Sequence, residues 1–388
     1  MGPRERSVER SPVQLKRRLP LKTTLRIWVQ AGGRCEFRGC NEYLLEHHLT
    51  RREGNFAEIA HVVGFRRDGP RGNDPARPTD VNDPSNLMLL CASCHTLIDQ
   101  QPEAHPRALL ETFKREHEER IQLVTGYDPA RRTRVVQLKA RIGGAAVEIG
   151  FSEVLKALSG DRWPASRQGQ VIDLTGLEAE SESFYAAACE QIEREIGRLY
   201  GAGMDVEQVQ HISLFALAPI PLLVFLGSRL SNKIPVDLYQ RHRDTESWTW
   251  RKDGPPASYQ WRLRQRGSAR KNVALVLPLS GAIAAERLPT FLAGSFTIYE
   301  LALKDQRPST DFLRSRDDYV RFEEAYRELL ARIVADHPDA TEIHLFPAVP
   351  APIAIGCGRQ VLRKAQPALV VYDFVASSGG FVECVTTR

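Results

Sequence analysis

Two closely spaced cysteine pairs stand in the first hundred residues of the chain. Cys35 and Cys40 bracket the segment EFRG, and Cys91 and Cys94 bracket AS. Such spacings let both thiolates of a pair reach one ion, and four soft ligands satisfy tetrahedral zinc. Burial of the cysteines as small apolar side chains explains neither the pairing nor the glycine in the first loop. The sequence therefore predicts a structural zinc site with four cysteine ligands.

Two histidines and an asparagine lie between and beside these pairs. His61 ends the apolar segment EIAH, Asn86 opens the apolar run NLMLL, and His95 follows Cys94 at the start of a predicted helix, HTLIDQ. With four thiolates on the zinc, His95 is left for a second site. Hydrolysis of a phosphodiester needs a base for water, which suits a neutral imidazole with a pKa near ~6.5. It also needs a cation that takes up charge developing on the phosphate.

The order His61, Asn86, His95, flanked by cysteine pairs, resembles the HNH endonucleases. Their core is a two-stranded ribbon and a helix around one divalent metal, so the resemblance implies an α+β domain of the ββα-metal type. It also implies that His61 is the general base and that His95 binds the catalytic metal, with Mg²⁺ as the usual ion. Asn86 would fix the loop or help to coordinate.

The chain departs from the HNH pattern at one position. Many HNH enzymes have an acidic metal ligand immediately before the base, where this chain has Ala60. The remaining ligand of the catalytic metal is then either water or another side chain, such as Asp74, Asp83 or Asp99. We assign residues 1–124 to this domain, including a basic N-terminal segment that is either a phosphate contact or a solvated tail.

The second part of the chain contains an internal duplication. At a constant offset of 131 residues, ISLFALAPIPLLVFLG from Ile212 and IHLFPAVPAPIAIGCG from Ile343 share six identities in sixteen positions. Average composition predicts about one. Each copy is predicted to form a strand, a proline-bearing turn, an apolar helix and a second strand, with a charged helix before it. This alternation favours two Rossmann-like α/β halves with parallel sheets.

The duplicated part resembles the SAVED domain, a fusion of two CARF-like units that senses cyclic oligonucleotides. We assign it to residues 146–388, with halves of about 146–266 and 267–388, after a linker over 125–145. Ligands of such sheets collect beyond the carboxyl ends of the strands, where helix N-termini offer backbone amides. No glycine-rich dinucleotide motif or P-loop occurs, which argues against NAD or ATP.

The whole chain resembles the HNH–SAVED effector nucleases of bacterial CBASS anti-phage systems. The resemblance implies that a cyclic di- or trinucleotide binds the SAVED domain and drives assembly of a homo-oligomer, a tetramer in this family. The assembled HNH domains would then degrade double-stranded DNA. A cytoplasmic protein is expected, because the chain shows no secretory signal and its longest apolar stretch contains two prolines.

Aromatic and basic residues near strand ends and helix starts are the candidates for binding the nucleotide, by stacking on bases or by pairing with phosphates. They are Arg229, Tyr239, Arg241, Trp248, Trp250, Lys252, Arg359 and Tyr372. The segment RHRDTESWTWRKDG concentrates these types.

Two other functions fit parts of the pattern. One is a restriction-type HNH nuclease whose C-terminal half reads modified DNA, which predicts a basic DNA-reading surface. The other is a zinc-stabilised nucleic-acid-binding regulator without catalysis, which leaves His61 and Asn86 without a purpose. The formal net charge of +5 is too small to decide between them.

Overall fold

The structure is a computed structural model that describes residues 19–126, 128–166, 169–178, 183–200, 210–230, 232–362 and 366–388. The chain divides into two compact units, Met1–Tyr127 and Asp128–Arg388. Residues 1–18, which belong to the predicted basic N-terminal segment, lie outside the described residues.

The described part of the N-terminal unit is built from α-helices and one two-stranded ribbon. Its elements are α1 (Leu21–Ala31), β1 (Ala57–His61), β2 (Leu87–Cys91), α2 (Ala92–Gln100) and α3 (Arg107–Thr125). The strands pair antiparallel with His61 opposite Leu87. Because the apolar run LMLLC makes β2 the buried centre of this unit, the ribbon is fixed between the helices. This ββα arrangement confirms the predicted fold of the domain.

The C-terminal unit alternates strands and helices in two successive sets. The first set is β3 (Arg132–Lys139), β4 (Arg141–Ile142), β5 (Ala145–Ala146), α4 (Phe151–Leu158), β6 (Trp163–Pro164), β7 (Gln170–Asp173), α5 (Phe184–Tyr200), β8 (Ile212–Leu217), α6 (Ile220–Arg229) and β9 (Val236–Tyr239). The second set is β10 (Tyr259–Gln265), β11 (Val273–Pro278), β12 (Thr297–Leu303), α7 (Arg316–Asp336), β13 (Glu342–Ala348), α8 (Ala351–Arg359), β14 (Ala368–Val375) and β15 (Gly380–Thr386).

Each set forms its own sheet, except that β4 and β5 pair with each other in a separate two-stranded sheet. In the first sheet the strand order is β6-β3-β8-β9, with β7 also paired to β3, and all pairs are parallel. The second sheet has the order β10-β12-β11-β13-β14-β15, with a parallel centre and antiparallel edge strands. The predicted architecture of two Rossmann-like halves is thereby confirmed.

The duplicated segments are the strand–helix pairs β8–α6 and β13–α8. The apolar run that starts at Ile212 thus forms a buried strand and helix, as predicted, and none of the described helices is both long and apolar enough to cross a membrane. The two helices cross at the paired glycines Gly227 and Gly358. A Cβ atom on Gly227 would lie 2.0 Å from the carbonyl oxygen of Ile355, and one on Gly358 would lie 1.9 Å from that of Val224. Both positions are glycine because the two helix backbones touch there, at a pseudo-twofold axis.

The boundaries predicted for the C-terminal part need correction. The segment 125–145, taken as a linker, contains β3, which pairs with β8 along Arg134–Lys139 in the middle of the first sheet. Val135, Val136 and Leu138 of this strand are buried. Strand β10, assigned to the first half, pairs with β12 and so belongs to the second sheet.

Substitution of Gly227 by alanine tests the close crossing of α6 and α8. We expect Gly227→Ala to lower the free energy of unfolding by roughly 1–3 kcal/mol, since the helices must separate to admit the methyl group. Urea denaturation of the full chain measures this loss. The control is Gly197→Ala in α5, where an added Cβ meets no atom within 4 Å, so the free energy should rise by roughly 0.5–1 kcal/mol. Equal behaviour of the two variants would contradict the proposed crossing.

Candidate functional sites

The four predicted zinc ligands come together in the N-terminal unit. The sulfur atoms of Cys35, Cys40, Cys91 and Cys94 all lie within 4.8 Å of one another. The Cys40 and Cys91 sulfurs are 3.9 Å apart, close to the ~3.8 Å edge of a tetrahedron with Zn–S bonds of ~2.3 Å. Burial raises the pKa of the Cys35 thiol to about 12, a cost that a zinc ion offsets because it binds the thiolate. The residues present therefore fit a structural zinc ion.

The cysteine cluster ties the loop after α1 to the ribbon and to α2. The amide of Glu36 donates to the carbonyl of Leu89 (2.9 Å), and the amide of Leu89 donates to the Glu36 carboxylate (2.5 Å). At the start of α2 the sulfur of Cys91 accepts from the amide of Cys94 (3.4 Å). The zinc ligands thus fix the point where β2 becomes α2, and the last of them, Cys94, is one residue before His95.

His61 lies at the end of β1 and is half-buried. Its Nε2 is 3.1 Å from Oδ1 of Asn82, a neighbour that the sequence did not indicate. Burial lowers the pKa of His61, with the positive charge of Arg77 acting in the same direction. The neutral imidazole is therefore favoured near neutral pH, as a general base requires.

Asn86 is buried and holds the backbone that follows His61. Its Oδ1 accepts from the amide of Val63 (2.9 Å), and its Nδ2 donates to the carbonyls of Val63 (3.1 Å) and Val81 (2.9 Å). The backbone carbonyl of Asn86 also accepts from the amide of Val62 (2.8 Å). Of the two roles open for Asn86, these contacts favour fixing the loop.

His95 stands on α2 between two carboxylates. Its Nδ1 is 2.5 Å from Oε2 of Glu58 on β1, and its Nε2 is 3.4 Å from Oδ2 of Asp99, one helical turn further on. An imidazole and carboxylate oxygens are ligands that suit a divalent cation with water in the remaining positions. The residues around His95 fit such an ion in part. They do not bring three ligand atoms within 4.8 Å of one another, which within the described chain only the four cysteines do.

Of the three acidic residues left open at the sequence level, Asp99 is the one beside His95. Asp74 is instead paired with Arg107 at 3.3 Å, and Asp83 accepts from the amide of Ser85 at 2.9 Å to begin a short helical turn. Glu58 was missed, because it lies three residues before His61 and not at the position of Ala60.

Arg71 joins the strand that ends at His61 to the helix that carries His95. Its side chain is only 5% exposed and donates to the carbonyls of Val62 (2.6 Å) and Ile98 (2.7 Å). It also contacts Oδ1 of Asp99 at 3.4 Å. Nothing in the sequence distinguishes this arginine from several others in a loop rich in glycine and proline. Its left-handed backbone, with φ of 54°, appears only in the structure.

The C-terminal unit contains a cavity of about 810 Å³ at the carboxyl ends of its strands. Leu217 and Ala348, which end β8 and β13, line it, as do Ile220 and Ala351 at the starts of α6 and α8. The cavity therefore lies between the two duplicated segments and is lined by residues of both halves. This is the place where sheets of this type bind ligands.

Of the eight residues predicted to bind the ligand, Arg241 lines this cavity. Trp250 and Lys252 line a smaller cavity of about 430 Å³ beside the start of α7. Trp248 is 1% exposed and packs edge-on against Phe215 in the core.

The other four predicted residues, two tyrosines and two arginines, make structural contacts. Tyr239 stacks on Phe215 at 4.3 Å, and Tyr372 stacks on Phe346 at 4.5 Å, so both aromatic rings lie in the core. Arg229 and Arg359 end α6 and α8, the helix ends away from the cavity, and donate to backbone carbonyls there.

The polar residues that do line the cavity were mostly missed. They are Arg141, Tyr185, Gln240, Arg243, Glu246, Ser280, Thr310 and Asp373. Tyr185 donates to Oδ2 of Asp373 at 3.1 Å. Burial raises the pKa of the Asp373 carboxyl, and the hydrogen bonds from Tyr185 and from the Phe374 amide oppose this rise. Their position in the sequence could have indicated two of them, because Gln240 and Asp373 each directly follow a tyrosine that was predicted to bind the ligand.

Comparison with known proteins gives two family matches that agree with this geometry. Residues 192–386 match the SAVED family, described as the SMODS-associated and fused to various effectors sensor domain. Residues 35–101 match the HNH endonuclease family HNH_2. The first match covers half of the chain, so the chain belongs to the SAVED family, and an HNH endonuclease domain precedes this sensor domain. The predicted pairing of the two domains is confirmed.

Solved structures that match this chain include Cap4 SAVED/CARF-domain containing receptors. One from Acinetobacter baumannii, with the cyclic trinucleotide 3'3'3'-cAAA, has 12% identity and a TM-score of 0.42, and the match covers 79% of this chain and 64% of that one. One from Moraxella osloensis has 10% identity and a TM-score of 0.40, with coverage of 75% and 60%. This chain thus spans less than two thirds of the length of these receptors. No curated protein matches it.

The separation of zinc and catalytic ligands is testable by metal analysis. We expect Cys91→Ser to lose bound zinc, because three thiolates leave the tetrahedral site incomplete. His95→Ala should keep one zinc per chain and its far-ultraviolet circular dichroism, as should the control Cys384→Ser outside the cluster. Plasma mass spectrometry of the purified proteins gives the zinc content. Zinc loss from His95→Ala would show that His95 is a ligand of the zinc.

Proposed function

We propose that this protein is a metal-dependent HNH endonuclease that cuts double-stranded DNA when a cyclic oligonucleotide binds its SAVED domain. The observation that carries the proposal is the joining, in one chain, of an HNH domain that contains His61 and His95 and a SAVED domain with a cavity at its strand ends. The biological role would be that of a CBASS effector, which destroys DNA during phage infection.

In the proposed reaction, His61 takes a proton from the attacking water. Its lowered pKa leaves Nε2 or Nδ1 available as an acceptor, and Asn82 and Asn86 hold the ring and the following backbone. His95 and Asp99, with Glu58 as an alternative oxygen ligand, would hold a divalent cation. Such an ion supplies positive charge against the scissile phosphate and the leaving oxygen.

Basic residues beside His61 suit a DNA backbone. Arg66 and Arg67 are exposed in the loop after β1, which Arg77 closes by donating to the carbonyls of Gly64 (2.5 Å) and Phe65 (2.8 Å). Contacts of arginine with phosphates fix position and carry no base information. We therefore infer cutting with little sequence preference.

Activation is assigned to the cavity of the SAVED domain. Its ~810 Å³ lies in the range of small-ligand pockets, about 300–1,000 Å³, and arginines and helix starts suit an anionic ligand. Binding of a cyclic di- or trinucleotide between the two halves would change the surface that this domain offers to other copies of the chain. We propose that a homo-oligomer, such as a tetramer, forms and activates the HNH domains.

A plasmid-cutting assay tests the proposed function. The full-length protein is incubated with supercoiled plasmid and Mg²⁺, with and without a panel of cyclic di- and trinucleotides. We expect degradation only with a matching nucleotide, and His61→Ala should lower the rate by about 10²–10⁴ because the general base is lost. His48→Ala is the control, since that side chain is 58% exposed in the same unit.

The assay also separates the alternatives. Equal cutting with and without nucleotides would contradict gating and favour a restriction-type nuclease. Absence of cutting under every condition, with wild-type behaviour of His61→Ala, would favour a zinc-stabilised regulator.

A further inference from the structure

The two halves of the C-terminal cavity are equivalent in backbone but different in chemistry. The offset of 131 residues pairs Phe215 with Phe346, and these rings stack on Tyr239 and Tyr372 respectively. The next residues, Gln240 and Asp373, are therefore equivalent. Both line the cavity, so one half offers an amide where the other offers a carboxyl group.

A second pair of equivalent positions shows the same contrast. Arg134 on β3 pairs with Ile212, and Val273 on β11 pairs with Ile343. Counting seven residues on from each strand position places Arg141 opposite Ser280 across the pseudo-twofold axis. Both residues line the cavity, and here the first half has a cation where the second half has a neutral hydroxyl group.

The charges of the lining residues follow this division. The first half contributes Arg141, Arg241 and Arg243, with Glu246 paired to Arg241 at 3.4 Å. Among the described residues that line the cavity from the second half, Asp373 is the one charged side chain. A ligand with two equivalent phosphates would place one of them against this carboxylate, at a cost in repulsion. The phosphates are accommodated better on the first half.

Asp373 has acceptor capacity left for a ligand. Its Oδ2 accepts from the Tyr185 hydroxyl at 3.1 Å, and its Oδ1 accepts from the Phe374 amide at 3.0 Å. Each oxygen of a carboxylate has two lone-pair sites, so each can accept one more hydrogen bond. The half that contains Asp373 therefore requires a ligand group with N–H donors.

Among nucleobases, guanine matches two neighbouring acceptor oxygens. Its ring N–H and its amino group are adjacent donors, whereas the amino group of adenine stands beside ring nitrogens that only accept and are repelled by a carboxylate. We propose that Asp373 is the base-reading residue of this cavity, with a guanine against the second half and the phosphates against the arginines of the first. This inference rests on the proposed function and names its ligand class.

Isothermal titration calorimetry on the full-length protein tests this assignment without using nuclease activity. The ligands are cyclic di-guanylate, cyclic guanylate–adenylate, cyclic di-adenylate and cyclic tri-adenylate. We expect at least one guanine-containing ligand to bind about tenfold or more tightly than either adenine-only ligand. Asp373→Asn should reduce this ratio to about one, because an amide can pair with adenine through one donor and one acceptor.

Asp336→Asn is the matched control for this change. Asp336 also accepts from a tyrosine hydroxyl, that of Tyr299 at 3.0 Å, but it is not among the residues that line the cavity. This variant should keep the wild-type ratio. Arg141→Gln should weaken all bound ligands by a similar factor, since phosphates are common to them.

Three results would overturn the assignment. They are tighter binding of an adenine-only ligand by the wild-type protein, equal binding of all ligands, and an equal loss for all ligands in Asp373→Asn. If Asp373→Asn does not fold, the wild-type ratio still tests the predicted preference for guanine, and its absence overturns the assignment. Failure of every cyclic nucleotide to bind the wild-type protein would instead reject the proposed function itself, and this inference with it.

Discussion

The close crossing of α6 and α8 is the contact on which the C-terminal unit depends. Gly227 and Gly358 let each helix backbone touch the other, and any side chain at either position would push the helices apart. Because each helix follows the last residue of its strand by a short proline-containing turn, the crossing also sets the separation of the strand ends. The cavity exists between those ends, so its width follows from two missing Cβ atoms.

The cysteine cluster has the corresponding role in the N-terminal unit. This unit has a small core, and the ribbon and α2 are joined at the point where Cys91 ends the strand. A bound structural zinc would add its binding free energy to the folding free energy of this unit. Arg71 and Asn86 then bring the end of β1 towards α2 through bonds to backbone carbonyls and amides. The catalytic histidines we propose are held by this frame and do not form part of it.

The sequence predicted those features that depend on residue type and spacing. Four cysteines in two pairs identify a zinc site, and the paired Gly227 and Gly358 identify a duplication, because each pattern has one physical explanation. Predictions that required the direction of a side chain did less well. Tyr239 lies at a strand end as expected and Tyr372 lies inside β14, but both side chains turn to the core, while the residues after them line the cavity.

A similar limit applies to residues whose partners are far away in the sequence. Arg71 and Glu58 reach their partners across long loops, so no local pattern distinguishes them from neighbouring charged residues. We assigned the segment around Arg134 to a linker, yet the four consecutive residues 135–138 of β3 are buried in the middle of a sheet. Burial of a strand on both faces is set by tertiary packing, which composition alone does not reveal.

The central claim is that occupation of the SAVED cavity controls the HNH domain, and a cavity-filling variant tests it most directly. Ala351 lines the cavity at the start of α8, so Ala351→Trp should block nucleotide binding without touching the zinc cluster. The measurement is plasmid cleavage with an activating nucleotide, compared with Ala293→Trp at an exposed position outside the cavity. The account predicts no cleavage by Ala351→Trp, with normal zinc content, and wild-type cleavage by the control. Nucleotide-dependent cleavage by Ala351→Trp at the wild-type rate would contradict it.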